Sequence, residues 1–277
     1  MSPVLPTIPP SLPLAGQVAI VTGASRGVGK GIALGLGEAG AIVYVTGRSV
    51  ERGALPGTIG ETAEEVSARG GRGIAAACDH SDDEQVARLI ARVNREQDRL
   101  DILVNNAFAV PEGKLVAPFW ELPIEQWDLM HRVGLRSHYV ATWHAAPIMI
   151  AQKLGLVVNV SSFGAKIQAV NVAYGVGKAG VDRMTRDMGR ELQPHGVTVV
   201  SLWPGVVKTE RLLAEPDRLG FDMTNAESPT LSGRAVAAIA EDPARLAKTG
   251  QALVVAELAQ EYGFTDIDGS TPVSMKR

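Results

Sequence analysis

Seven short runs of apolar residues, each ending in glycine or small polar residues, constrain this chain more than any other feature. They are QVAIVTG (17–23), AIVYVTG (41–47), GRGIAAACD (71–79), LDILVNNA (100–107), LGLVVNVSS (154–162), GVTVVSLWPG (196–205) and GQALVVAE (250–257). The apolar residues are continuous, not alternating. Such runs belong in strands buried on both faces, inside a parallel sheet covered by helices. Helical periodicity fills the gaps: 29–40, 61–69, 81–94 with Ser81 as its cap, a long helix within 125–152, and one near 172–193. Strand–helix alternation over most of the chain predicts an α/β fold, a doubly wound parallel sheet with right-handed crossovers. The 277 residues, 45% of them hydrophobic, suit one such domain over 16–277. Residues 1–15 read as a Pro-rich flexible tail: Pro3, Pro6, Pro9, Pro10 and Pro13 interrupt it, and it lacks the basic region of a signal peptide.

The remaining composition removes whole classes of function. A net charge of −3 favours neither nucleic acid nor an acidic membrane surface as partner. No apolar run reaches 18 residues, so no membrane span is expected. Cys78 stands alone, which excludes an intrachain disulfide framework and fits a reducing, cytoplasmic setting. The five histidines include no H-x-x-x-H pair and no cysteine cluster lies near them, so no catalytic metal is expected.

In a doubly wound sheet, ligands bind at the carboxyl ends of the strands. The first run is followed by TGASRGVGKG, with Gly23, Gly27 and Gly29 opening a helix. Glycines admit positive φ and close backbone approach, and a helix N-terminus offers free N–H groups to a pyrophosphate. The turn therefore reads as the phosphate-binding element of a Rossmann-type dinucleotide fold. After the second run stand Thr46, Gly47 and Arg48, with no acid to accept from a ribose 2′-hydroxyl. A guanidinium can grip a 2′-phosphate in two places, and Arg26 is a second cation able to reach it. Both features point to NADP; solvated surface arginines are the alternative. Asp79, ending the third run, is placed to accept from an adenine amino group, or equally to cap the next helix.

The fifth run delivers Ser161 and Ser162 to the sheet edge, and Tyr174 and Lys178 follow four residues apart, on one face of a helix. A phenol has a pKa of about 10, too high for acid–base work near neutrality. An adjacent Lys178 ammonium, together with the positive nicotinamide ring of a bound NADP⁺, favours the phenolate, since opposite charges within about 4–6 Å lower a pKa by about 1–3 units. With T-G-x-x-x-G-x-G at 22–29, N-N-A at 105–107, the strand-end serines, Y-x-x-x-K at 174–178 and Pro204–Gly205 followed by Thr209, the chain resembles the short-chain dehydrogenase/reductase superfamily over roughly 17–257. The segments VTGASRG, VYVTGR, VGLRSHY, YGVGKA and SLWPGVVKTE are similar to a narrower subgroup of NADPH-dependent carbonyl reductases acting on steroids and xenobiotic ketones.

The resemblance implies an NADP(H)-dependent oxidoreductase that reduces a ketone or aldehyde, or runs the reverse. Tyr174 is implied as acid/base, Ser162 as the group fixing the carbonyl oxygen, and Lys178 as the ammonium beside the phenol and the nicotinamide ribose. Ser162 is preferred to Ser161 by alignment of the strand. Cofactor contacts are implied for Gly23, Ser25, Arg26, Gly27, Val28, Gly29, Arg48, Asp79, Asn105, Ala107, Tyr174, Lys178, Pro204, Gly205, Val207 and Thr209. The implied partners are a small carbonyl or alcohol substrate and further copies of the chain, as a homodimer or homotetramer on the long helices. An NADP-binding sensor without turnover is the alternative.

Two positions depart from the superfamily pattern. Gly134 stands on the long helix where the superfamily usually carries an asparagine that supports a water, and Phe108 replaces the glycine usual after N-N-A. His138, four residues beyond Gly134, is a candidate proton relay, or merely packed. Phe108 either lines the active-site mouth or packs. Residues 210–230, with Leu212, Leu213, Leu219, Phe221 and Met223, read as a substrate lid or a subunit contact.

Overall fold

The computed structural model describes residues 12–274. Most of the proposed tail, residues 1–11, therefore lies outside the described residues. Within 12–15, Leu14 is fully buried in the core and its N–H donates to the Ala39 carbonyl at 2.8 Å.

Seven parallel strands form one sheet in the order β3-β2-β1-β4-β5-β6-β7. They are β1 Val18–Val21, β2 Ile42–Gly47, β3 Arg72–Ala77, β4 Ile102–Asn105, β5 Gly155–Val160, β6 Val197–Trp203 and β7 Ala252–Val254. The reason for the continuous apolar runs is visible in β1. Val18 and Ile20 belong to the core on one side of the sheet, and Ala19 and Val21 to the core on the other. β5 divides likewise, with Val157 on one side and Leu156, Val158 and Val160 on the opposite one. Both faces bury apolar surface, so neither register of side chains can be polar.

The helices between are α1 Gly27–Glu38, α2 Ile59–Ala68, α3 Asp83–Gln97, α4 Glu125–His131, α5 Ser137–Gln152, α6 Val172–Leu192, α7 Glu210–Ala214, α8 Pro229–Glu241 and α9 Val255–Tyr262. α1, α8 and α9 cover one face of the sheet; α3 and α5 contribute to the other core. α2 starts on a capping box between Thr58 and Glu61. Asn171 caps α6 by accepting from the Tyr174 N–H at 2.9 Å, which fixes where the helix begins relative to its tyrosine.

Three expectations need correction. The cap of α3 is Asp82, which accepts from the N–H groups of Glu84 and Gln85; Ser81 instead donates to Asp79. The carboxylate accepts more strongly than the hydroxyl and adds charge at the helix N-terminus. The run 250–257 is strand only over Ala252–Val254, because the edge strand pairs with three residues of β6 and good helix formers then take over as α9. The long helix within 125–152 is also not one regular helix. A π-helical turn, Arg132–Arg136, joins α4 to α5, with Gly134 at its centre.

Candidate active site

β1, β3, β5 and β6 end one or two residues before their sequence signatures, and β2 and β4 end within theirs, so those signatures leave the sheet at the same edge. After β1, Gly23 has φ +64°, and a Cβ placed there would lie 2.8 Å from Ala107 Cα. Only glycine fits that approach between the first and fourth strand ends. The turn is locked from the β4 side: Thr22 Oγ1 accepts from the N–H groups of Asn106 and Ala107 at 2.8 and 2.9 Å. Asn106 Nδ2 also donates to the carbonyls of Thr22 and Gly23. Asn106 was not singled out in the sequence, although N-N-A contained it.

Asn105 does something different. Its side-chain amide is buried and donates to Thr142 on α5 and Asn159 on β5, and Asn159 donates on to Thr185 on α6. Its side chain is thus a rivet between layers, leaving only its backbone for a cofactor. Ser25 is buried and Val28 packs on the core, both at the N-terminal opening of α1.

The residues at this turn fit a dinucleotide phosphate. The N–H of Gly27, first residue of α1, donates at 2.7 Å to the Glu210 carboxylate of α7. An anion thus already sits on the helix N-terminus, where backbone donors and dipole favour negative charge. Glu210 was missed by sequence reasoning, and its separation of 183 residues from Gly27 explains why.

The two arginines are not equivalent. Arg26 donates through Nε to the Pro56 carbonyl and through Nη2 to Gly57 O at 2.8 Å and Ser49 Oγ at 3.2 Å. Its guanidinium is engaged in holding the loop before α2. Arg48 follows β2 directly, with 69% of its side chain exposed and only a 3.9 Å pairing to Asp79. It is the cation free to take another anion. Asp79 Oδ1 accepts from both the N–H and the hydroxyl of Ser81. Against the burial that would raise it, those bonds hold the Asp79 carboxyl below the usual range.

At the end of β5 the two serines part. Ser161 is buried and its hydroxyl donates to the Lys178 carbonyl at 3.2 Å. Ser162 Oγ lies 2.9 Å from Tyr174 Oη. The serine brought to the phenol is therefore Ser162. Lys178, one turn beyond Tyr174, is buried and donates through Nζ to the Val160 carbonyl at 2.9 Å.

Burial pushes the Tyr174 phenol up, opposed by the Ser162 hydrogen bond. Burial brings the Lys178 ammonium down to about 8, opposed by Asp182. Burial thus works against the phenolate in the protein alone, and the lowering expected from Lys178 and an oxidised nicotinamide together is not seen without the second of these charges.

His138 is also buried. Nε2 donates to the Ala107 carbonyl at 3.2 Å and Nδ1 has no partner. Burial, then Lys178, brings its pKa down to about 3. The ring is therefore neutral near pH 7, with its Nε2 proton held on Ala107 O and Nδ1 left as a buried acceptor.

On the other side of the phenol, Phe108, Val110, Leu115, Met130, Ala173 and Leu219 form a small apolar cluster with Tyr174. Leu219 is the only residue of the expected lid in that cluster; Leu212 is buried elsewhere and Leu213 is exposed. The segment is tied down by Arg218, whose Nη2 donates to the carbonyls of Pro111 and Gly113 at 2.7 and 2.9 Å. Pro204, Gly205, Val207 and Thr209 line the path from β6 to α7, and Thr209 caps α7. Behind this turn, Glu227 accepts from the Gly205 N–H at 3.0 Å, although it is 3% exposed and has no cation partner among the described residues. Among the described residues no cluster of three metal-ligating side chains occurs, and no helix is long and apolar enough to cross a membrane.

The comparisons agree with this geometry. The family model for short chain dehydrogenases matches residues 17–218. Mouse dehydrogenase/reductase SDR family member 1 is 45% identical over 93% of this chain and 85% of its own length. A short-chain type dehydrogenase/reductase from Mycobacterium marinum superposes with a TM-score of 0.75 at 28% identity, over 87% of this chain and 94% of that one. A metagenomic short-chain oxidoreductase solved in complex with NADP gives 0.72 at 31% identity, over 87% and 97%. With the glycine turn, the serine–tyrosine contact and the buried lysine at one sheet edge, the chain belongs to the short-chain dehydrogenase family of oxidoreductases.

Proposed function

We propose that the protein is an NADP(H)-dependent carbonyl reductase, converting a ketone or aldehyde to the alcohol or catalysing the reverse. The 2.9 Å contact between Ser162 Oγ and Tyr174 Oη, with buried Lys178 one turn away, carries this reading. A carbonyl oxygen placed between the two hydroxyls accepts from both. Ser162 fixes that oxygen, and Tyr174 gives it a proton as charge develops there.

The nicotinamide, when bound, supplies the hydride to the carbonyl carbon, and in its oxidised form a positive charge. Gly27 and the α1 N-terminus would hold the pyrophosphate in place of Glu210. Arg48 would take the 2′-phosphate, and Asp79 the adenine edge. Lys178 Nζ uses one of its three donors on Val160, which leaves donors for a ribose hydroxyl. The similarity to a chain solved with NADP supports this choice of cofactor.

The apolar cluster of Phe108, Val110, Leu115, Met130 and Leu219 beside the phenol suits an apolar ketone, as does the similarity to SDR family member 1. Trp127, Tyr139 and Trp143 stand exposed on α4 and α5, a face suited to a second copy of the chain. With no feature favouring nucleic acid or membrane, we place the activity in the cytoplasm.

The test is oxidation of NADPH and of NADH against a panel of ketones, quinones and α-dicarbonyls. The reading expects turnover with NADPH and its loss in Tyr174→Phe. Tight NADPH binding without turnover on the whole panel would favour a cofactor sensor instead.

A further inference from the structure

Two departures from the superfamily pattern, 26 residues apart in the chain, are one feature in space. A Cβ built on Gly134 would lie 2.5 Å from Cδ2 and 2.8 Å from Cε2 of Phe108. The phenyl ring occupies the place any side chain at 134 would take. Its edge meets Tyr174 with ring centroids 5.8 Å apart and planes at 89°. Lys178 Nζ stands 5.1 Å from the Phe108 ring centroid. One ring therefore touches the helix turn, the phenol and the ammonium together.

We propose that Phe108 is a positioning residue for Lys178: seated in the space left by Gly134, its ring offers the ammonium a π face and keeps water off that side. The proposal rests on the acid–base reading of Tyr174 and Lys178. The ammonium has three donors, and Val160 O is its one acceptor among the described residues. A desolvated ammonium against a ring face is held electrostatically without a polar partner.

The charged and titratable groups around Lys178 do not supply that partner. On its own helix, Tyr174 lies a turn before it. Asp182 lies a turn after it, with its carboxylate taken by Ser201 Oγ and Trp203 Nε1. On α5, His138 is neutral and gives its N–H to Ala107. On α4, His131 reaches the neighbouring Gly177, with Nδ1 bonded to Trp127 O. β5 contributes only the Val160 carbonyl. Asp182 acts on the charge from a distance and the Tyr174 ring lies 5.7 Å from Nζ on its own helix, while on the α4–α5 side the Phe108 ring, 5.1 Å away, is the face the ammonium meets.

The experiment is an NMR titration of the full-length protein labelled with 13C at lysine Cε. The Lys178 resonance is the one missing in Lys178→Met. Phe108→Leu keeps the site dry and removes the nearer of two π faces, leaving that of Tyr174 in place, so Lys178 should titrate about half a pH unit lower than in the parent. Phe108→Tyr keeps the face and should titrate with the parent. Phe108→Ala admits water, and because burial is the larger effect on Lys178 its titration should move upward. Should Phe108→Leu be insoluble, Phe108→Met carries the same expectation.

Identical titrations in the parent and the leucine variant would overturn the proposal and leave the ring a space-filler. So would a downward shift in the alanine variant. The readout needs no turnover: a protein inactive on every ketone would refute the proposed reaction and leave this contact to be judged on the lysine alone.

Discussion

Replacing Glu227 by glutamine tests how the turn after β6, at Gly205, is held. The carboxyl is 3% exposed, accepts from the Gly205 N–H and has no cation to pair with. Its neighbour Asp266 is also buried and accepts from the N–H and hydroxyl of Ser228. Burial, reinforced by Asp266 and opposed by the Gly205 N–H, pushes Glu227 from 4.5 up to about 7. A carboxyl raised in the folded state binds more protons there than in the unfolded chain. Stability is then greatest at low pH and falls as pH rises between the two values. The displacement corresponds to about 3 kcal/mol in all, of which about 2.5 kcal/mol falls between pH 5 and pH 8. Glutamine keeps the shape and the carbonyl that accepts from Gly205, and it cannot ionise. Urea unfolding of both proteins at pH 5, 6, 7 and 8 reads the difference directly. Glu227→Gln should gain on the parent by about 2.5 kcal/mol across that range, or roughly 5–10 °C in Tm. Parallel loss of stability in the two proteins would refute the reasoning, because every other titrating group is common to both.

Three further outcomes follow from the site. Tyr174→Phe should lower kcat for ketone reduction by about 10²–10⁴-fold with NADPH affinity little changed, measured by initial rates and cofactor fluorescence titration. Arg48→Asp should raise the KM for NADPH by about 10–100-fold and leave that for NADH nearly unchanged, since only the former carries a 2′-phosphate. Lys178→Met should abolish turnover yet stabilise the fold at pH 7 by up to about 3 kcal/mol, because burial brings the lysine from 10.5 down to about 8. For a lysine lowered in the folded state the parent's disadvantage is full below pH 8 and fades as pH rises toward 10.5, so melts at pH 7 and pH 10 check the sign.

The sheet was legible because its strands are buried on both faces, and nothing but apolar runs satisfies that. The strand ends were legible for the complementary reason: polar pairs such as Ser161–Ser162 and Asn105–Asn106 mark where an apolar run stops, although which member of each pair stays buried was not. Glu227 and Gly205 were not legible as a pair, nor Glu210 and Gly27. These contacts join segments by chain folding over distances that carry no local period. Arg26 was read as a phosphate ligand from its position in the turn. Its side-chain bonds to the loop of Pro56 and Gly57 depend on where that loop lies, which periodicity does not report. Ser161 and Ser162 could not be separated by spacing to Tyr174 alone, because a strand end turns successive side chains to opposite sides.

Gly134 and Phe108 show the same limit from the other direction. Each breaks the pattern of its own segment, and judged separately each reads as a loss: a helix interior without a side chain, and a bulky ring where a small residue is usual. Their contact reverses the reading, since the ring needs the glycine and the vacancy needs the ring. The π-helical turn at Arg132–Arg136 lies where they meet, and a widened turn brings the backbone of Gly134 against the ring without a Cβ between them. A polar side chain and its water on one side of a lysine are thereby exchanged for an aromatic face. The chemistry at Tyr174 can survive such an exchange only if the ammonium is held equally well by the new partner, and that condition belongs to the pair of residues and to neither alone.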